Sequence, residues 1–329
     1  MKSLKNFFQH HVIALLVLSL SFSFIQSAPA KDVKFPSFDK SLSRHGRSQI
    51  AYDKYYAGET TDPLLLQLRK NSSDFRNIYK KNILLYVKDK KAPVRIPKVV
   101  HQIWLGGNVP EKFQEWMSTW MNINGWKYRL WTDKDVKKFN LHNQALFDKA
   151  KDYGEKADIF RYEILYRFGG VYADVDFECV NSKLLEQFNK SFDFYVGFEP
   201  IEHKQMKISH LIGNAIIGSV PGHPILEKVI LNMADHYKEN SDLWAVVATG
   251  PVYLTETILE YNKDPDPKYI DIFLPPTFFF PFKFADGKKE NREQSFKNLI
   301  KPETAAVHYF SGSWLDKNKP PKKVRTKEN

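Results

Sequence analysis

The apolar positions of the chain change their spacing near Ile96. Before it, one stretch is patterned: Leu64, Leu65, Leu68, Phe75, Ile78 and Leu85 recur at three- or four-residue steps or their multiples, which predicts an amphipathic helix within Pro63–Lys91 whose polar side is rich in Lys and Arg. After it, short apolar runs alternate with helical patterns. Lys98–Leu105 (KVVHQIWL) is a β-branched run stopped by Gly106-Gly107 and predicts a buried strand. Pro110 opens a helical stretch carrying Trp116 and Trp120, and Trp126–Thr132 alternates as a second strand. Asp133 is expected to cap a short helix. Residues 154–168 predict a longer one that stops at Gly169-Gly170, and Val171–Asp174 predicts the next strand. DFYVGF, NAIIGS and a last run AAVHYF (305–310) predict further strands, HPILEKVILNMADHY a helix, and Thr277–Phe284 (TFFFPFKF) a core-plugging segment. Strands alternating with helices predict an α/β fold with a mostly parallel sheet flanked by helices.

The ends differ from this block. Lys2 and Lys5 precede an apolar stretch, Val12–Ile25, that is shorter than the roughly 20 residues a membrane span needs. With Ala28 and Ala30 following, residues 1–30 predict a secretory signal peptide cut after Ala30, with an uncleaved single anchor as the rival. The expected organisation is then a basic helical N-terminal arm (31–95), one larger α/β domain (96–314) and a disordered basic tail (315–329), acting in the secretory pathway. One cysteine among 329 residues, Cys179, excludes an intrachain disulfide framework and is expected to be a small buried residue. Asn71 and Asn189 lie in N-x-S sequences and are possible glycosylation acceptors in a eukaryotic host.

A formal charge of +11 raises the question of a nucleic-acid or membrane-surface partner. The charge is uneven. Residues 31–97 carry 15 basic and 7 acidic side chains and the last fifteen residues 6 and 2, whereas 98–314 carries 26 and 29. The central block is therefore slightly acidic and nucleic acid is not an expected partner. The basic flanks can steer the chain to an anionic membrane surface or simply keep it soluble.

The strongest chemical signal is Ala157–Asp176, ADIFRYEILYRFGGVYADVD. On a helix, Ala157, Phe160, Ile164 and Phe168 form one stripe that can face a sheet, and Asp158 and Arg161, three apart, are neighbours on another face. Two glycines permit a turn with positive φ. On the following strand Tyr172 and Asp174 point the same way, as does Asp176 if the extension continues. Two carboxylates would then project from the C-terminal end of a strand, where ligands bind in open α/β sheets. Paired carboxylates repel unless a cation relieves them, and a hard divalent ion with open positions, Mn²⁺ or Mg²⁺, suits oxygen ligands and phosphates.

That block resembles the signature of family-32 glycosyltransferases, the sugar-binding-region type with a DxD motif, which include yeast initiating α-mannosyltransferases; more distantly it is similar to the glucosyltransferase domain of large clostridial toxins. IPKVVHQIWLGG, NAIIGSVPGHP, Thr249-Gly250-Pro251 and HYFSGSW (308–314) match the family in order and spacing, so the resemblance covers roughly residues 96–314. It implies a Rossmann-like GT-A fold and a retaining transfer of a hexose from a UDP- or GDP-sugar to a glycan, lipid or protein hydroxyl. It also implies that Asp158 and Arg161 bind the donor sugar, that Asp174 holds ribose and sugar hydroxyls and touches the metal shell, and that Asp176 ligates the metal. Tyr172 and Trp104 would lie by the nucleotide, Asn214 near the transferred sugar, and His308, Ser313 and Trp314 would close over metal and diphosphate, with His308 a ligand or merely a neighbour. Two other classes stay open from the residues alone: a divalent-metal phosphohydrolase, which also uses paired carboxylates, and a non-catalytic sugar-binding module.

Overall fold

The structure is a computed structural model that describes residues 35–43, 61, 63–86, 91–200, 210–282 and 298–312. The expected signal peptide, the tail, Ser313 and Trp314 lie outside the described residues. Among the described residues, no helix is long and apolar enough to cross a membrane.

Six strands form the main sheet: β1 (Val99–Ile103), β2 (Lys127–Trp131), β3 (Gly170–Ala173), β5 (Phe194–Phe198), β6 (Ile212–Ser219) and β7 (Asp271–Leu274), in the order β2-β1-β3-β6-β5-β7. β1 runs parallel to β2 and β3, and β5 parallel to β7, while β6 is antiparallel to both its neighbours, β3 and β5. The expected α/β fold with a mostly parallel sheet is therefore present, with one reversed strand at its centre. Its C-terminal edge is built by the ends of β1, β3 and β5 and the start of β6. Central strands are buried on both faces and read as unbroken apolar runs. All eight residues of β6 are buried, whereas the edge strand β2 keeps its alternation.

The helix Pro63–Asn82 packs on β7 and places Phe75 and Tyr79 in the same core as the sheet. Phe75 meets Phe198 and Phe273 edge-on at 5.1 Å. The helix ends in a tight turn, Ile83–Leu85, and Leu85 points outward, so the buried stripe is narrower than the spacing predicts.

Other expectations are corrected. The cap of the Asp133–Phe139 helix is Thr132, in a reciprocal box with Asp135, while the Asp133 carboxylate accepts from the Gly106 amide at 3.0 Å. AAVHYF contributes only Ala306–His308 (β8), and not to the main sheet: β8 pairs antiparallel with a strand that the pattern missed, β4 (Phe177–Cys179). Three-residue strands carry too little periodicity to read. β7 is also absent from the expected strands. Phe168, assigned to the buried stripe of its helix, is 42% exposed and stacks on Trp131 instead. Asn189 is fully buried; its amide donates to the carbonyl of Ile96 at 3.2 Å and its oxygen accepts from Tyr195, which leaves no room for a glycan. Phe278, Phe279, Phe280 and Phe282 are buried, as expected of a core plug.

Candidate active site at the ends of the central strands

The helix Tyr153–Phe168 starts at Asp152, whose side chain accepts from the Glu155 amide, and ends at Gly169. Gly169 (φ +61°) and Gly170 (φ +100°) turn the chain into β3. Neither could carry a side chain: a Cβ on Gly169 would lie 2.7 Å from Pro221 and one on Gly170 2.6 Å from the Val99 carbonyl. His101 of β1 secures this turn. Its Nδ1 accepts from the Trp131 indole at 3.1 Å, so its Nε2 carries the proton that meets the Gly169 carbonyl at 2.9 Å.

The turn sets the helix directly behind β3, and Arg161 is the hub of what results. It is buried. Nη2 lies 3.0 Å from Asp158 Oδ1, Nη1 3.2 Å from Asp174 Oδ1 and 2.7 Å from the Asn214 carbonyl, and Nε reaches the Ala157 carbonyl. The guanidinium also lies 4.5 Å over the Tyr172 ring. Asp158 accepts further from Asn214 Nδ2 at 2.7 Å and from Thr249 Oγ1 at 2.8 Å. Burial pushes the Asp158 carboxyl up to about 6 despite Arg161 and Thr249, while the surrounding carboxylates hold Arg161 firmly charged.

Asp174 and Asp176 are brought together by a turn rather than by continued extension. β3 stops at Ala173, the Asp174 amide bonds the Ala215 carbonyl, and the Phe177 amide closes a turn onto the Asp174 carbonyl. Oδ1 of Asp174 accepts from the Tyr172 hydroxyl at 2.5 Å and faces Arg161, so Oδ2 is left for a ligand. Burial raises the Asp174 carboxyl, the Asp176 charge adds to it, and Arg161 opposes both.

Asp176 is held from the other side. Oδ2 accepts from the Ser311 amide at 2.7 Å and its hydroxyl at 2.8 Å, and Oδ1 lies 3.2 Å from His308 Nε2. Burial works to raise this carboxyl, but the neighbouring imidazole and the Ser311 donors overcome it and bring it down to about 2. His308 is raised in return, the Asp176 charge outweighing burial. Donor atoms of Asp174, Asp176 and His308, one from each, lie within 4.8 Å of one another, and His308 Nδ1 is buried with no partner among the described residues. Two carboxylate oxygens and an imidazole nitrogen fit a divalent cation.

The remaining predicted residues flank this cluster. Trp104 is half-buried beside Phe113, at 5.3 Å, in an apolar group that includes Val175, the residue between the two aspartates; it walls the site on the β1 side. Tyr172, expected beside the nucleotide, is buried, with its hydroxyl on Asp174 and its ring under Arg161. Asn214 touches Asp158 and the Tyr162 hydroxyl. In the closing segment Ser311, not singled out from the sequence, grips Asp176; its place in FSGS was the only signal. Thr249, known beforehand only as part of a Gly-Pro turn, is a direct partner of Asp158. Cys179 is largely buried and its thiol is pushed up to about 12 by burial, which makes it inert.

Residues 109–194, which include both aspartates, match the family described as glycosyltransferase sugar-binding region containing DXD motif. The chain is 31% identical to an uncharacterized glycosyltransferase of Acanthamoeba polyphaga mimivirus, over 51% of this chain and 67% of that protein. It is 30% identical to inositol phosphoceramide mannosyltransferase 3 of Schizosaccharomyces pombe, over 52% of this chain and 47% of the other, so the match spans about half of that enzyme. It is 28% identical to the initiation-specific alpha-1,6-mannosyltransferase of Candida albicans, over 68% of this chain and 73% of the relative.

Proposed function

Because the chain belongs to the family of glycosyltransferases with a DXD-containing sugar-binding region, we propose that it is a retaining, divalent-metal-dependent hexosyltransferase that moves mannose from a nucleotide-sugar, GDP- or UDP-linked, to a hydroxyl acceptor. The observation that carries this reading is the convergence of Asp174, Asp176 and His308 at the strand ends. Mannose is chosen because the two relatives above whose names give a sugar are mannosyltransferases. The name of the Schizosaccharomyces relative also points to an acceptor class, an inositol phosphoceramide lipid.

In this mechanism Asp174, Asp176 and His308 would hold Mn²⁺ or Mg²⁺. The ion supplies positive charge against the departing diphosphate. Trp104 and its aromatic neighbours form the wall against which a nucleotide base can lie. Arg161 holds the Asp174 carboxylate in one orientation and places a fixed positive charge behind it. Ser311 does the same for Asp176. Retention through attack on the face of the departing group follows the family resemblance. Action in the secretory pathway rests on the leader sequence alone, and steering to an anionic surface on the basic flanks.

The test is a screen of the full chain against GDP-mannose, UDP-glucose and related donors with Mn²⁺ or Mg²⁺, using inositol phosphoceramide and methyl α-mannoside as acceptors. Glycosyl transfer is expected to be metal-dependent and to disappear in Asp176→Asn with the fold intact. Turnover that persists in EDTA or in that variant would overturn the metal role. Hydrolysis of plain phosphodiesters, with no transfer to any acceptor, would replace this reading with a phosphohydrolase.

A further inference from the structure

The other carboxylates in and beside the site each have a protein donor. Asp158 has three, Asp174 and Asp176 have hydroxyl, guanidinium, amide or imidazole partners, and Glu178 accepts from the Tyr309 hydroxyl at 2.5 Å. Glu199 is the exception. It follows the last residue of β5, and its amide bonds the Leu211 carbonyl, which fixes its backbone level with the start of β6. Its side chain lies over the bare α-carbon of Gly213: a Cβ there would come within 3.0 Å of both Cγ and Oε1 of Glu199, and within 2.5 Å of the Phe280 ring. Among the described residues no donor reaches its carboxyl group. The charges it interacts with are those of His308 and Asp174, and burial pushes it up to about 7.

The order of strands places it. Trp104 directly follows β1, Asp174 follows β3 and Glu199 follows β5, with the start of β6 between the last two. On the reading proposed above, a donor with its base at Trp104 and its diphosphate at Asp174 and Asp176 would extend its sugar along this edge, toward Glu199. A carboxyl group repels phosphate and accepts from hydroxyls. A partly desolvated acceptor with no protein donor is costly unless a ligand supplies the donor.

We propose that Glu199 is a substrate-binding residue that accepts a hydrogen bond from a sugar hydroxyl at the reacting end of the site, and that Gly213 is required to let it close over β6. This rests on the glycosyltransfer reading above. The hydroxyl belongs either to the hexose being transferred or to the acceptor, and the two sources differ in kinetics.

The experiment compares Glu199→Gln and Glu199→Ala with the wild type in three measurements: Mn²⁺ affinity with melting temperature, release of free nucleotide from GDP-mannose without acceptor, and transfer to methyl α-mannoside or inositol phosphoceramide. A hydrogen bond to a charged group is worth about 10- to 100-fold in rate or affinity. The expected result is a loss of that size in Glu199→Ala, smaller in Glu199→Gln, with Mn²⁺ affinity and melting unchanged. A loss confined to transfer, seen in the KM for the acceptor, assigns the hydroxyl to the acceptor. An equal loss in acceptor-free release, with a raised KM for GDP-mannose, assigns it to the donor sugar. Unchanged kinetics in both variants, or losses that follow reduced Mn²⁺ affinity or melting temperature, overturn the proposal. Failure of glycosyl transfer itself shows in the wild type, whereas failure of this assignment shows only in the variants.

Discussion

His308 lies flat against Phe177, with ring centroids 4.6 Å apart and planes 6° from parallel. The two residues are cross-strand partners in the short β4–β8 ribbon. That stacking sets the plane of the imidazole, whose Nε2 lies 3.2 Å from Asp176 Oδ1. Supporting contacts of this kind orient a metal ligand and typically change metal affinity about 10- to 100-fold when removed. Phe177→Leu is therefore expected to weaken Mn²⁺ binding about tenfold while circular dichroism stays unchanged. Unaltered Mn²⁺ affinity by calorimetry in a folded variant would show that His308 is not held by Phe177.

Metal binding should also appear as stability. An ion that binds the folded chain alone raises its melting temperature by mass action. Saturating Mn²⁺ is expected to raise the melting temperature of the wild type, and His308→Ala to show a smaller shift. Equal shifts in the two would remove His308 from the ligand set.

Arg161 cannot be replaced by lysine. Its guanidinium meets Asp158, Asp174 and two backbone carbonyls at once, in a buried setting. A single ammonium cannot span that fork. Breaking a buried pair leaves an uncompensated charge and costs about 3–5 kcal/mol. Arg161→Lys should lose stability on that scale in urea unfolding and lose nucleotide release from GDP-mannose by at least about 100-fold. Near-wild-type turnover would show that Asp174 needs no such brace.

The Gly169-Gly170 turn gives a purely conformational prediction. Gly169 combines φ +61° with ψ −162°, a region open essentially only to glycine, and its missing Cβ faces Pro221 and the Ser219 carbonyl. Gly169→Ala should cost at least about 1–3 kcal/mol. A melting temperature equal to wild type would mean that the turn relaxes freely.

His101 makes stability depend on pH. Burial lowers its pKa from 6.5 to about 4, against the help of the Gly169 carbonyl and with a further push from the Arg129 charge. A histidine with a depressed folded-state pKa costs nothing above about pH 7. As pH falls from 6.5 toward 4 the unfolded chain takes the proton and the folded chain does not, so stability declines through that window and levels off below it. The size is a few kcal/mol at most. Wild type should therefore lose more stability than His101→Gln between pH 7 and pH 4.5 in urea titrations. Equal losses would place the proton elsewhere.

Much of the catalytic centre was legible in residues 157–176. Helical spacing sets Asp158 beside Arg161, and the glycine pair announces a turn into a strand. These are local relations, carried by backbone geometry over a few residues, so the sequence by itself determined the helix–turn–strand unit, the α/β class and the pairing of Asp174 with Asp176. The tertiary structure decided the rest. Ser311 reaches Asp176 across 135 positions, and Thr249 reaches Asp158 across 91. The reversal of β6, the β4–β8 ribbon that delivers His308, and the place of Glu199 follow from strand order and register. No periodicity within a segment encodes those, because they are settled by which faces must be buried together. The same reason explains Arg161: its spacing showed a neighbour for Asp158, but only the folded core showed that its donors are engaged within the protein, holding the aspartates that face the substrate.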